Sequence, residues 1–187
     1  MSEKQYGPGL HPGTRYVGID QSLTGFGLTA IDLEGGYKTY VYKAPGKGID
    51  RLLMIEEWLA GKIREIGTLM VKDAAIEAPL LMTPNALIAG QLFAIVLRTM
   101  RHADWAHTGP HYPLQVSPGS LKKYITGKGN IDKNLILLHT YKKWGIAFDD
   151  DNAADSYGLA RIAAGLADTK YEQEVVKLHT DPKYRGK

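Results

Sequence analysis

Four acidic residues of this 187-residue chain stand where carboxylates do chemistry: Asp20, Glu77, Asp151 and Asp155. Asp20 closes the run Tyr16-Val-Gly-Ile-Asp20, and Glu77 closes Asp73-Ala-Ala-Ile-Glu77. An acid in an apolar strand costs free energy unless it is paired, hydrogen-bonded or holding a metal. Asp20 taken alone also reads as a turn cap that accepts bonds from backbone N–H groups. Asp151 and Asp155 are four residues apart, so they share one face of a helix. Acids at 149–151 also suit a helix N-terminus without any function. Asp155 lies deeper, among small apolar residues, where an unpaired acid is harder to excuse. Clustered carboxylates repel one another unless cations neutralise them, and their hard oxygens suit Mg²⁺ or Mn²⁺. Two such ions about 4 Å apart activate water and stabilise the leaving oxygen in phosphodiester hydrolysis.

Lysines supply the complementary signal. Ser117–Lys143 contains six lysines (122, 123, 128, 133, 142 and 143) and one acid, Asp132, for a local charge of +5. The whole chain carries only +3, so the remainder sums to −2. Lys122, Lys123, Lys128 and Lys133 interleave with glycines, which lets side chains and backbone N–H groups approach phosphates. On charge alone the same lysines read as an ordinary solvated helix face. Ser22 and Thr24, beside Asp20, either position a phosphate or bond their own turn.

The elements that must hold these groups follow from periodicity. Residues 15–32 read as two strands joined by a tight turn, and Tyr37–Lys43 alternates as a third, giving an antiparallel meander. Apolar residues from Ile49 to Met70 recur at helical spacing. Residues 73–78 read as a buried strand, and Thr83-Pro84 opens a helix over about 85–103. That helix is apolar over a wide arc, with Leu92, Phe93, Val96 and Met100 among its large residues. It is either sandwiched in a core or in contact with a second subunit, and the expectation is a homodimer contact. A short strand at 111–117, a capped turn at Ser117 and helices over about 131–144 and 151–167 complete the pattern. The expected fold is α/β and ribonuclease H-like. Its five-stranded mixed sheet has a three-strand meander and two parallel strands, with helices on both faces. The expected organisation is a flexible lead-in at 1–14, one domain at 15–168 and a weakly ordered charged tail at 169–187.

Composition excludes several classes. With no cysteine, thiol catalysis, thiolate metal sites and disulfides are ruled out. No apolar run approaches the roughly 20 residues that cross a bilayer, and the N-terminus lacks the apolar run of a signal peptide. The expectation is a cytoplasmic protein. Small-molecule kinases carry a phosphate turn resembling residues 18–24, but they need two such domains, and 187 residues are too few.

Four segments, in order and at their spacing, resemble the RuvC Holliday-junction resolvases: Tyr16-Val-Gly-Ile-Asp20-Gln-Ser-Leu-Thr-Gly-Phe-Gly27, Ala75-Ile-Glu77, Ser117–Lys133, and Asn152-Ala-Ala-Asp155. The likeness covers about residues 15–167. It implies a dimeric, Mg²⁺-dependent endonuclease with two ions per site, Mn²⁺ able to substitute, that nicks two strands of a four-way DNA junction symmetrically. It further implies that Asp20, Glu77 and Asp155 are catalytic metal ligands, and that Lys122 and Lys133 lie at DNA near the scissile phosphate. Two positions depart from the family. An Asp usual three residues before the last acid is here Asn152, so Asp151 is expected as fourth ligand, with Asn152 as a weaker oxygen ligand or positioning group. The aromatic wedge that follows the Glu strand in cellular members is here Ala78-Pro-Leu80-Leu81-Met82, which makes Leu80 and Leu81 an aliphatic alternative. Such divergence suits a bacteriophage-type member, placed in a bacterial or phage-infected host cytosol. The partners implied are branched DNA and a second copy of the chain, with no membrane and no nucleotide cofactor. A non-catalytic branched-DNA-binding protein, or a nuclease of forks, flaps or RNA–DNA hybrids, is the alternative.

Overall fold

Alternating β-formers pair into one six-stranded sheet, with strands that begin at Ser2, Tyr37, Phe26, Arg15, Val71 and Leu114 in spatial order, in the computed structural model, which describes residues 2–79, 84–103, 112–132 and 134–181. The strands are β1 (Ser2–Gly9), β2 (Arg15–Asp20), β3 (Phe26–Ile31), β4 (Tyr37–Lys43), β5 (Val71–Glu77) and β6 (Leu114–Val116). The helices are α1 (Gly48–Ile66), α2 (Ala86–His102), α3 (Pro118–Thr126), α4 (Asn134–Trp144), α5 (Asp151–Ala163) and α6 (Lys170–Thr180). Strands β2, β3 and β4 form the expected antiparallel meander, and β5 and β6 run parallel to β2. Among the described residues, no helix is long and apolar enough to cross a membrane.

Period-two alternation assigns the two faces of the sheet. Val17, Ile19, Leu28 and Ile76 pack with Leu52, Leu59 and Ile63 of α1 and with α2. On the other face Tyr16, Ile31, Val41, Ala75 and Leu114 pack with α3, α4, α5 and α6. The α5 helix approaches this second face at glycines. A β-carbon on Gly27 would lie 2.4 Å from the Asn152 carbonyl oxygen, closer than any side chain is tolerated. Beneath the helix, the Thr29 hydroxyl bonds both Thr39 and Ser156 at 2.8 Å, so the buried hydroxyls satisfy one another.

Three expectations need correction. The sheet has six strands because residues 2–9 are not a loose lead-in. They pair antiparallel with β4, from Ser2 opposite Lys43 to Gly9 opposite Tyr37, and cover what would otherwise be an open edge. The tail is likewise ordered through Thr180. Thr169 and Glu172 make a reciprocal capping box at the start of α6, and Val175 and His179 are buried. Charge alone predicted a solvated segment, yet Glu172 is fully buried and ion-paired to Lys143 at 2.7 Å. Lastly, Leu92, Val96 and Met100 are 1%, 0% and 1% exposed. They pack into the cluster shared with α1, with Phe93 partly buried beside them, so three of the four residues expected at a dimer interface are core. Contact with its own chain covers the Leu92, Val96 and Met100 side of α2, while Leu87 on the same helix is exposed.

Candidate active site

Register brings the first two acids together. Ile19 pairs with Ile76 across the parallel β2–β5 ladder, so Asp20 and Glu77 leave the sheet side by side. The same alternation that turns Gly18 and Ala75 toward α5 puts Asp20 and Glu77 on that face, two residues further along each strand. The first two turns of α5 bring in Asn152 and Asp155. Asp20, Glu77, Asn152 and Asp155 all line one cavity of about 720 Å³, with Ser22, Thr24 and Lys122 also in its wall. Asp20 is 5% exposed and the other three are half-buried. Like charges in so sheltered a place raise one another's energy unless cations are near.

Other expected site residues fall elsewhere. Asp151 does not line the cavity; Asn152 is the residue of that turn which does. Lys123 is turned to α6, where it pairs with Glu174 at 2.9 Å. Lys128 is exposed on the loop after α3 and lies outside the cavity wall. Lys133, Leu80 and Leu81 lie outside the described residues. Ser22 and Thr24 bond their own turn, with the hydroxyls 3.2 Å apart and the Thr24 N–H donating to Ser22 Oγ at 3.3 Å.

Two further wall residues were not singled out from the sequence. Arg51 comes from the first turn of α1, where it reads as any charged helix residue. Its guanidinium donates to the carbonyl oxygen of Leu23 at 3.4 Å, and so joins the turn carrying Ser22 and Thr24 while adding a cation to the wall. Gln21 donates from Nε2 to the Glu77 carbonyl oxygen at 2.8 Å, tying the ends of β2 and β5. Its position directly after Asp20 was the available clue.

A shell of bonds fixes the start of α5. Asp150 is the N-cap, and its Oδ1 accepts from Asn152 N at 3.1 Å and from Asn152 Nδ2 at 2.7 Å. Asp149 accepts from Lys4 at 2.9 Å and from the Tyr6 hydroxyl, both in β1. The bond from Tyr6, then that from Lys4, holds the Asp149 carboxyl below its usual range. The edge strand absent from the expected sheet thus braces the helix that carries two cavity residues.

The wall offers three carboxylates, Asp20, Glu77 and Asp155, and three carboxamides, Gln21, Asn85 and Asn152, oxygen donors that fit a hard divalent cation and not a soft one. They line one cavity without forming one tight shell. Among the described residues, no three acidic or histidine side chains are gathered closely enough to hold an ion by themselves.

The fold is similar to that of Thermus thermophilus RuvC in two solved structures, of the protein itself and of its complex with a Holliday junction substrate. Each has 20% sequence identity and a TM-score of 0.59 over 79% of this chain, covering 91% and 90% of the respective RuvC chains. No protein-family model and no curated protein matches the chain by sequence.

Proposed function

We propose that the chain is a structure-selective DNA endonuclease that cuts branched DNA, with four-way junctions as its substrate. The observation that carries this reading is the meeting of Asp20, Glu77 and Asp155 with Lys122 in one cavity on a RuvC-like fold. The likeness to a RuvC chain solved with a Holliday junction supports the choice of substrate.

Asp20, Glu77 and Asp155 would hold Mg²⁺, or Mn²⁺ in its place. Bound divalent ions would supply an activated water and neutralise charge on the phosphate. The chain's own groups do the rest. Lys122 and Arg51 bring positive charge to the wall where the phosphate gains charge. The turn hydroxyls of Ser22 and Thr24, held by each other, offer donors to a phosphate oxygen without having to be ordered first. Gln21 keeps Asp20 and Glu77 in fixed relation through the β5 carbonyl. Lys128, exposed after α3, adds positive charge for the DNA backbone. Paired nicks require two copies, because a two-fold dimer matches the near-symmetry of a junction. The buried face of α2 is not the contact, so another surface must pair them.

A second reading has one observation in its favour. The acids are not gathered tightly, and one corner is an amide, which suits a branched-DNA-binding protein without cleavage. Cleavage of labelled junctions in Mg²⁺ separates the two. The nuclease reading requires Mg²⁺-dependent nicks, and binding without nicks in Mg²⁺ and Mn²⁺ selects the other.

A further inference from the structure

We infer that Asp150 is a positioning residue that turns the Asn152 side chain so that its amide oxygen, and not its nitrogen, serves the acidic cavity. This rests on the metal-dependent reading above and deepens it at one corner of the site. Asn152 lines the cavity from the first turn of α5. Its Nδ2 donates to Asp150 Oδ1 at 2.7 Å and reaches Asp151 Oδ1 at 3.5 Å. An amide nitrogen has two hydrogens, and two carboxylates face it. The opposite orientation would set the amide oxygen against those carboxylates, which electrostatics forbids. With the nitrogen spoken for, Oδ1 is the polar atom left for the cavity, and it is a neutral oxygen ligand of the kind hard cations accept.

Asp150 itself is held. It is 9% exposed, caps α5 through the Asn152 backbone N–H, and has Lys43 Nζ 4.0 Å from its other oxygen. Next to it, Asp149 is tied to Lys4 and Tyr6 of β1. The site therefore reaches outward in three steps: cavity, Asn152, Asp150, and the two strands β1 and β4. The arrangement also explains why an amide occupies this corner. A carboxylate at 152 would meet Asp150 oxygen to oxygen, so Asp150 demands a donor there.

Asp150→Ser separates the two roles of Asp150, since serine caps a helix as well as aspartate but is too short to hold the amide. In metal-free protein, the Asn152 side-chain N–H₂ resonances report the hold directly. Mn²⁺ titration by calorimetry reports its consequence. We expect Asp150→Ser to shift those resonances and speed their exchange with solvent, and to weaken Mn²⁺ binding about tenfold, the low end for loss of a ligand's supporting partner. Asp150→Asn, whose side-chain oxygen still accepts, should restore both readouts. Unchanged Asn152 resonances in Asp150→Ser would overturn the hold. Shifted Asn152 resonances in Asp150→Ser with wild-type Mn²⁺ affinity would overturn the role toward the ion. A wild-type protein that holds the amide but binds no Mn²⁺ would overturn both that role and the metal-dependent function, while the resonances still decide the hold.

Discussion

Gly18 of β2 and Ser156 of α5 lie so close that a β-carbon on Gly18 would fall 2.0 Å from the Ser156 carbonyl oxygen. It would also lie 2.2 Å from the Ala160 backbone nitrogen. Both are backbone atoms that cannot swing aside, so the spacing between the strand carrying Asp20 and the helix carrying Asp155 depends on a missing side chain. Gly18→Ala should destabilise by about 3 kcal/mol or more, at or above the usual range for overpacking. Chemical denaturation measures it. Stability within about 0.5 kcal/mol of wild type would show that α5 can move away at little cost.

Asn152 lines the cavity and Asp151 does not, although sequence spacing pairs Asp151 with Asp155. Asn152→Ala should therefore lower the junction cleavage rate by about 10-fold or more, and Asp151→Asn should leave it within about 3-fold. Single-turnover cleavage rates in saturating Mg²⁺ decide the order, and the reverse ranking would return the ligand role to Asp151.

Asn152→Asp exchanges a 2.7 Å hydrogen bond to Asp150 for a contact between two carboxylates. In metal-free protein it should cost about 1–3 kcal/mol. Adding Asp150→Asn restores a donor–acceptor pair with its polarity reversed and should recover most of that loss. Thermal denaturation of the two single variants and the double variant gives the coupling, and additive effects would contradict it.

Glu172 ties stability to acid pH. Burial alone would push its carboxyl up, but bonds from Lys143 and Thr169 outweigh it and hold the pKa below the usual 4.5. A depressed folded-state pKa means that the unfolded chain binds the proton first. The stabilisation is thus complete above pH 4.5 and lost as pH falls through the lowered value. Melting temperature of wild type should fall more steeply below pH 4.5 than that of Glu172→Gln, after both are referred to neutral pH. Parallel curves would contradict the assignment.

Much of the site was legible because it follows from strand endings and helix period. Asp20 and Glu77 stand out as acids closing apolar strands, and parallel pairing brings such ends together. The four-residue spacing of Asp151 and Asp155 was correct as geometry, yet the phase of α5 against the sheet was hidden. It is set by Gly18, Gly25 and Gly27, where a β-carbon would collide with α5. Strand β1 escaped notice because Gly7, Pro8 and Gly9 mask a strand that is stabilised from outside by β4. Helix α6 was hidden by its charge, since the sequence could not show Lys143 waiting for Glu172. The apolar arc of α2 was visible, but not which partner would cover it.

The most direct test is single-nick mapping of a labelled four-way junction in Mg²⁺, with wild type and Asp20→Asn side by side and a linear duplex as control. Wild type should make symmetric nicks near the branch point and none on the duplex, and Asp20→Asn should make none while still binding the junction. A wild-type protein that binds junctions without nicking them, or an Asp20→Asn variant that cuts as well as wild type, would contradict the nuclease reading.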